Sequence, residues 1–249
     1  FEDLLRQLDF RHVLISYSNQ GLLSLEELTA LASLFAVDGT VHIETMPYQE
    51  YQNHRSSQKG NGDPLNEVIL YFEKDREPVK SPLNYPGSKD TIFPLLYREL
   101  PYHIGTFVDV MGGAFNVGVN IPATKEVVYN DYNPFVFEMI QLLLKTDKEE
   151  LISAVEQTIA DFSLEKAGKK EYLALRKHYN KKEKTPLNLF VLHMYAFQNM
   201  IRFNNSYKFN TPVGNSGYNQ DLEQRIRCFT PRTKQYALLN QDFRSLDWK

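Results

Sequence analysis

A chain of 249 residues with 42% hydrophobic side chains can build one large core, and a charged fraction of 24% without low-complexity tracts excludes global disorder. The formal net charge of −3 excludes a wholly basic nucleic-acid coat but leaves room for a local basic face. The lone cysteine, Cys228, excludes an internal disulfide and a cysteine zinc site, so no metal centre is expected and a reducing intracellular setting is.

Residues 1–74 read as strand–helix–strand–strand. His12 to Ser18 (HVLISYS) has the β-branched, apolar character of a buried strand. Ser24 followed by Glu27 is a capping-box pattern that opens a helix whose apolar face is Leu25, Leu28, Leu31 and Phe35. Val41 to Thr45 alternates as a strand, and Glu67 to Phe72 (EVILYF) is another. The polar stretch Asn53 to Pro64 between them reads as a mobile loop. Residues 75–82, charged and holding two prolines, read as a linker.

A β-α alternation follows. Asp90 to Leu100 predicts a helix, with Pro94 tolerated near its start. Thr106 to Met111 predicts a strand, Gly112-Gly113 a turn, and Ala114 to Asn120 a helix start or a tight turn. Glu126 to Asn130 is the next strand and Asn133 to Leu144 the next helix. This order implies a parallel sheet with helices on both faces. Thr146 to His178 is helical, with Thr146 and Glu149 as a second capping-box pair, and so is Leu187 to Met200. Arg202 to Asn219 is a loop, and Tyr236 to Phe243 returns to a strand. The longest apolar stretches, such as Asn188 to Phe197, are too short to span a bilayer, and the first residues lack a signal-peptide pattern. A start at Phe1 rather than Met predicts that the chain is part of a longer polypeptide.

Three short motifs carry chemistry. In Phe107 to Gly118 (FVDVMGGAFNVG) a strand runs into a glycine turn, with Asp109 at the strand's C-terminal end, where open α/β sheets bind ligands. Nucleotide and nicotinamide folds share this pattern, and so does a plain strand–helix turn. About twenty residues on, Asp131 ends the next strand in VYNDYN; it can accept from both hydroxyls of a ribose or cap a helix. Upstream, NYPGSK (84–89) places Tyr85 to pack on a ligand and Lys89 to pair with a carboxylate, and it reads equally as a solvated turn. Farther on, the Asn-rich RFNNSYKFNTPVG (202–214) has the side chains that hold phosphates and read adenine edges. Residues 166–184 carry eight Lys/Arg against two Glu, an excess of six, which fits a phosphate-facing patch or a solvated helix face.

Taken in order, NYPGSK, VDVMGGAF and VVYND resemble the Dam-like DNA adenine-N6 methyltransferases. The family's aromatic-x-Gly-x-Lys turn is here Tyr85, Gly87 and Lys89. Its Asp/Glu-Pro-Phe-x-Gly-Gly-Gly turn is represented by Asp109, Gly112 and Gly113, with Val110-Met111 in place of Pro-Phe and Ala114 in place of the last glycine. The resemblance implies an α/β, Rossmann-like fold of the S-adenosylmethionine-dependent methyltransferases with an inserted helical DNA-recognition subdomain. It implies that Tyr85, Lys89, Asp109, Gly112, Gly113 and Asp131 line the S-adenosylmethionine site, and that Asp242 in NQDF contacts the cofactor's adenine. Arg202, Asn204, Asn205, Lys208 and Asn210 then contact double-stranded DNA. It also implies a prokaryotic or phage cytoplasmic enzyme, with a cognate restriction enzyme as a further partner.

The implied organisation is 1–74 as the later half of the catalytic domain, 83–146 as its cofactor-binding half, 147–233 as the target-recognition subdomain and 234–249 as a return strand. SYSN near residue 18 and the stretch 55–72 resemble the family's usual tail, so that tail precedes its usual head. The family's catalytic Asp-Pro-Pro-Tyr does not occur: the sequence has no Pro-Pro pair, Asp63-Pro64 lies in the wrong loop, and Asn133-Pro134 belongs to the motif after Asp131. The catalytic residues are therefore unassigned. The catalytic loop absent from these residues, a tandem fusion and a circular permutation all place the break at one site. Two other readings stand beside the enzyme: a non-catalytic DNA- and cofactor-binding subunit, and a nicotinamide-dependent oxidoreductase. The second leaves NYPGSK and the Asn-rich loop unexplained.

Overall fold

The computed structural model describes residues 1, 4–5, 10–37, 39–47, 66–74, 78–101 and 104–246. The expected loop 53–64, the family-like stretch 55–65, the start of the linker at 75–77 and the terminal Asp247-Trp248-Lys249 lie outside the described residues. The chain divides into two compact units, residues 1–77 and 78–249.

The first unit holds β1 (His12–Ser18), α1 (Leu25–Ser33), β2 (His42–Pro47) and β3 (Asn66–Glu73). Its sheet is antiparallel in the order β1-β3-β2, with Ile15 opposite Leu70 and Thr45 opposite Val68. The central strand β3 buries Val68, Leu70 and Phe72 on one face, the period-2 pattern of a half-covered strand. The capping box forms as expected: Ser24 accepts from the Glu27 N–H, and the Glu27 side chain reaches back to the Ser24 N–H. Leu28, Ala32 and Phe35 are the buried residues of this segment, whereas Leu25, expected on the apolar face, is exposed. It sits in the first turn, before the helix has a neighbouring turn to shelter it.

The second unit is built on a parallel sheet, order β4-β5-β6: β4 (Thr106–Asp109), β5 (Glu126–Asn130) and β6 (Tyr236–Leu239). Among the described residues six helices accompany it: α2 (Phe93–Arg98), α3 (Pro134–Lys145), α4 (Lys148–Phe162), α5 (Lys169–Lys181), α6 (Pro186–Tyr195) and α7 (Gln220–Cys228). Short 3₁₀ turns occur at 118–120, 197–199 and 243–245. Consecutive strands that are neighbours and parallel make one half of a doubly wound sheet, whose ligands bind beyond the strands' C-terminal ends. The structure shortens the elements expected at 90–100, 106–111, 187–200 and 236–243, and the helix expected over 146–178 is two helices, α4 and α5. The helix at 90–100 covers only α2, because Pro94 fits only the first turn. Thr146 does not cap α4: Asp147 does, accepting from the Glu149 and Glu150 N–H groups, while Thr146 ends α3.

Two observations bear on the expected organisation. Residues 147–233 belong to the same compact unit as the parallel sheet. Helix α6 is buried all round from Asn188 to Tyr195 and lies against α3, α4 and α5, so one hydrophobic core runs from the sheet through these helices. The boundary between the two units falls within the expected linker 75–82, and its second part is held to the second unit. The Val79 N–H donates to Asn120 Oδ1 at 2.7 Å, the Ser81 N–H donates to Asn116 Oδ1 at 2.7 Å, and Ser81 is buried. Buried carboxamides satisfy this strap's backbone in place of water. Among the described residues, no helix is long and apolar enough to cross a membrane.

In the middle of α6, His193 is 1% exposed and its ring nitrogens make no hydrogen bond among the described residues. Burial pulls its pKa from 6.5 to about 4. The unfolded chain therefore binds this proton between those values and the folded chain does not, so stability falls as pH drops through that window, by about 3 kcal/mol at its lower end. Asp109, whose carboxyl is raised to about 6, pulls the opposite way, because there the folded state binds the proton first. The informative quantity is thus the difference between the native chain and His193→Leu. Urea midpoints at pH 7 and pH 4.5 should show a smaller acid loss in the variant; equal losses would remove His193 from the account.

Candidate functional site

The C-terminal ends of β4 and β5 face a cavity of about 270 Å³. Tyr85, Lys89, Asp109, Gly112, Gly113 and Asp131 all line it, so the structure brings together six of the seven residues expected there. Asp242 is not among them. It caps the last 3₁₀ turn and pairs with Arg244, and this partner holds its carboxyl down at about 2.

The glycine turn shapes the cavity floor. A Cβ on Gly112 would lie 2.5 Å from the ring of Tyr129, so only glycine fits this close approach. Gly113 has φ +50° and Phe115 φ +62°, left-handed values that bend the chain away from an α-helix. The turn accordingly leads to a three-residue 3₁₀ segment, not to a helix N-terminus. Tyr129 and Phe115, both fully buried, pack edge to face with ring centroids 5.0 Å apart, and the Tyr129 hydroxyl donates to the Gly113 carbonyl at 2.9 Å.

The two carboxylates secure this turn. Asp109 accepts from the Gly118 N–H at 3.0 Å, and Asp131 accepts from the Gly113 N–H at 2.9 Å and the Asn133 N–H at 2.8 Å. Asp131 thus performs the turn-capping role and still presents its carboxylate to the cavity. Burial, above all, raises the Asp109 carboxyl to about 6, and the nearby Asp131 adds to it. The Tyr85 ring lies against Gly113, with its nearest carbon 3.3 Å from where a Cβ would stand there. Its hydroxyl is raised above the ordinary phenol range by burial and then by Asp131. Among the described residues Lys89 pairs with no carboxylate; its Nζ donates to the Gly87 carbonyl at 2.7 Å on the exposed rim.

Sequence reasoning missed the buried asparagines that hold these parts in place. Asn116 accepts from Ser81 and donates from Nδ2 to Ser88 Oγ at 2.8 Å, tying the Tyr85–Lys89 turn to the glycine turn. Asn120 donates to the Val79 carbonyl at 2.8 Å. Asn130 binds the exits of all three strands. An asparagine reads as a turn former in sequence. The local signal was their placement: Asn116 and Asn120 lie in the stretch 114–120 predicted as a helix start or tight turn, and Asn130 ends a predicted strand.

The Asn-rich segment folds back on itself, with Phe203 bridged to Phe209 in an antiparallel pair. Its root is aromatic: Phe203 stacks on Phe135 at 3.9 Å, and Phe209 meets Tyr179 edge-on at 6.3 Å. Asn180 of α5 grips it by donating to the Phe209 carbonyl at 2.9 Å and accepting from its N–H at 2.8 Å. Arg202 and Asn210 bond each other at the root, and Asn204 caps the tip by accepting from the Ser206 and Lys208 N–H groups. The tip residues 204–208 are exposed. Asn205 and Lys208 keep their side chains toward solvent, and Lys184 from the basic stretch donates to the Tyr207 carbonyl at 2.9 Å.

A half-sheet with an acid at each of two strand ends, and a glycine turn between them, is the place where open α/β sheets bind their ligands. The chain belongs to the D12 class N6 adenine-specific DNA methyltransferases, whose match spans residues 85–248. It is 54% identical over 238 residues to modification methylase LlaI of Lactococcus lactis subsp. lactis, covering 96% of this chain and 38% of that protein. It is 34% identical over 251 residues to type II methyltransferase M.FokI of Planomicrobium okeanokoites, covering 92% of this chain and 38% of that protein. Its identity to modification methylase StsI of Streptococcus sanguinis is 33% over 251 residues, again 92% of this chain and 38% of that protein. The chain therefore spans well under half the length of these relatives.

Proposed function

We propose that this chain is a site-specific DNA adenine-N6 methyltransferase that transfers a methyl group from S-adenosylmethionine to duplex DNA and serves a restriction–modification system. The observation that carries this reading is the convergence of six expected cofactor residues on one cavity at the strand ends. The cavity suits that cofactor. Gly112 lets the turn lie directly on the Tyr129 ring and Gly113 supplies its left-handed bend beside Tyr85, and the ionisable wall holds two carboxylates against one ammonium, which favours a cationic sulfonium. Once bound, S-adenosylmethionine supplies an electrophilic methyl group. Asp131 accepts from its ribose hydroxyls, Tyr85 packs on it, and Lys89 stands at the rim for an anionic end.

DNA contact falls to the tip of the Asn-rich hairpin and the basic stretch of α5. Residues 147–233 supply this recognition surface while sharing the core of the cofactor half. Of the five residues expected there, Asn205 and Lys208 make no side-chain hydrogen bond among the described residues, whereas Arg202, Asn204 and Asn210 act by shaping the hairpin. Lys208→Ala should weaken DNA binding for every duplex alike and reduce the slope of log affinity against log salt by about one. Asn205→Ala should instead cost about 1–3 kcal/mol of discrimination between duplexes. Fluorescence anisotropy over a salt series reads both, and unchanged slopes with unchanged discrimination would take DNA away from this hairpin.

Adenine N6 is a weak nucleophile, because its lone pair is delocalised into the ring. The base must be flipped out and its amino hydrogens accepted by groups such as an Asp-Pro-Pro-Tyr segment. No Pro-Pro pair occurs in these residues. That fact favours a second reading, in which this chain binds cofactor and DNA and depends on residues outside it for transfer. Transfer of labelled methyl from S-adenosylmethionine to duplex DNA, followed by nucleoside analysis, separates the two. N6-methyladenine supports the first reading, and cofactor binding without transfer supports the second.

A further inference from the structure

We propose that Asn130 is a positioning residue whose carboxamide clamps the exits of β4 and β6 and so sets the width of the crevice that holds the cofactor, a role that rests on the cofactor reading above. Asn130 closes β5, is the last residue paired with β6, and is 1% exposed. Its Nδ2 donates to the Val110 carbonyl at 2.9 Å, one residue past β4. The same nitrogen donates to the Gln241 carbonyl at 3.1 Å, and its Oδ1 accepts from the Gln241 N–H at 3.0 Å. Its own carbonyl accepts from the Gly112 N–H at 2.8 Å, directly beneath the cradle.

A carboxamide meeting a backbone amide through both donor and acceptor continues a β-ladder where the strand itself has stopped. Asn130 thereby carries the β5–β6 pairing past Leu239 to Gln241, one residue before Asp242. Through Val110 it holds the start of the glycine turn at a set distance from Asp131, the next residue in its own chain. Asn240 adds a donation to the Asp131 carbonyl at 2.6 Å. Few other side chains would serve. Leucine, of similar shape, would leave two carbonyls and an N–H without their partner. Aspartate would aim a carboxylate at two carbonyls and stand beside the Asp109–Asp131 pair.

Asn130→Ala and Asn130→Asp, tested by calorimetry with S-adenosylmethionine against the native chain, distinguish positioning from mere support. The dissociation constant should rise roughly tenfold for alanine and more for aspartate, at an unchanged binding stoichiometry. Hydrogen exchange at the Gln241 amide should quicken in both. A constant that stays the same while Gln241 exchange quickens would overturn the proposal, since the clamp would be open and the crevice indifferent. A lowered stoichiometry at an unchanged constant would overturn it too, by showing only a loss of folded molecules. Asn130→Ser, small and polar, is judged by the same outcomes if the alanine variant does not fold. Failure of the native chain to bind S-adenosylmethionine would instead sink the cofactor reading before any substitution is made.

Discussion

Gly112→Ala is expected to lower affinity for S-adenosylmethionine by about 10²-fold, the penalty for displacing a binding group by an ångström or so. The added carbon would stand 2.5 Å from two ring carbons of Tyr129, closer than van der Waals contact permits. Tyr129 cannot yield easily. It is fully buried, packed edge-on against Phe115, and bonded through its hydroxyl to Gly113. The backbone must give instead, and the backbone that moves is the cradle itself. Gly105→Ala is the matched control, because the nearest atom to a carbon there is 3.8 Å away in the flexible Lys125 side chain. Calorimetry on both variants decides the matter: a Gly112 variant that binds within twofold of the native chain would show that the turn is not the cofactor floor.

Asp131→Ala should weaken cofactor binding by about 10² to 10⁴-fold, as two charge-assisted hydrogen bonds of roughly 1.5–3 kcal/mol each are lost. Part of the effect is indirect, since the carboxylate also fixes the Gly113 and Asn133 N–H groups. Asp131→Asn separates the parts. It keeps an acceptor for the turn but loses the charge and one acceptor toward the ribose, so its affinity should fall between those of the other two. Removing this charge also removes one cause of the raised Asp109 pKa, so Asp109 should titrate lower in the variant. An unchanged dissociation constant in Asp131→Ala would withdraw the assignment.

The regular elements were readable where local chemistry decides them. The strands His12–Ser18 and Glu126–Asn130 have the bounds their apolar runs predict, and Ser24 and Glu27 form the capping box their spacing announces. The six cavity residues were readable because they lie at strand ends and turns, where the pattern switches. What sequence reasoning missed depends on distant partners. Nothing within five residues of Asn120 indicates that its carboxamide will serve Val79. The left-handed Phe115 gives no sign of itself either, because its conformation is set by a packed ring and an aspartate nine residues before Gly118. Asp147 outcompeted Thr146 as a cap because α3 runs on to Lys145 and uses Thr146 to end.

The hairpin at 203–209 divides its labour by position. Phe203 and Phe209 anchor it in the helical core, and the side chains of Asn205 and Lys208 at its tip are exposed. Sequence changes at Asn205 or Lys208 thus meet little opposition from folding, so under the DNA-contact role proposed above this stretch could change its target while the anchor stays put. An exchange of the segment between its two phenylalanines for that of a related chain should give a protein that folds as before and favours a different duplex.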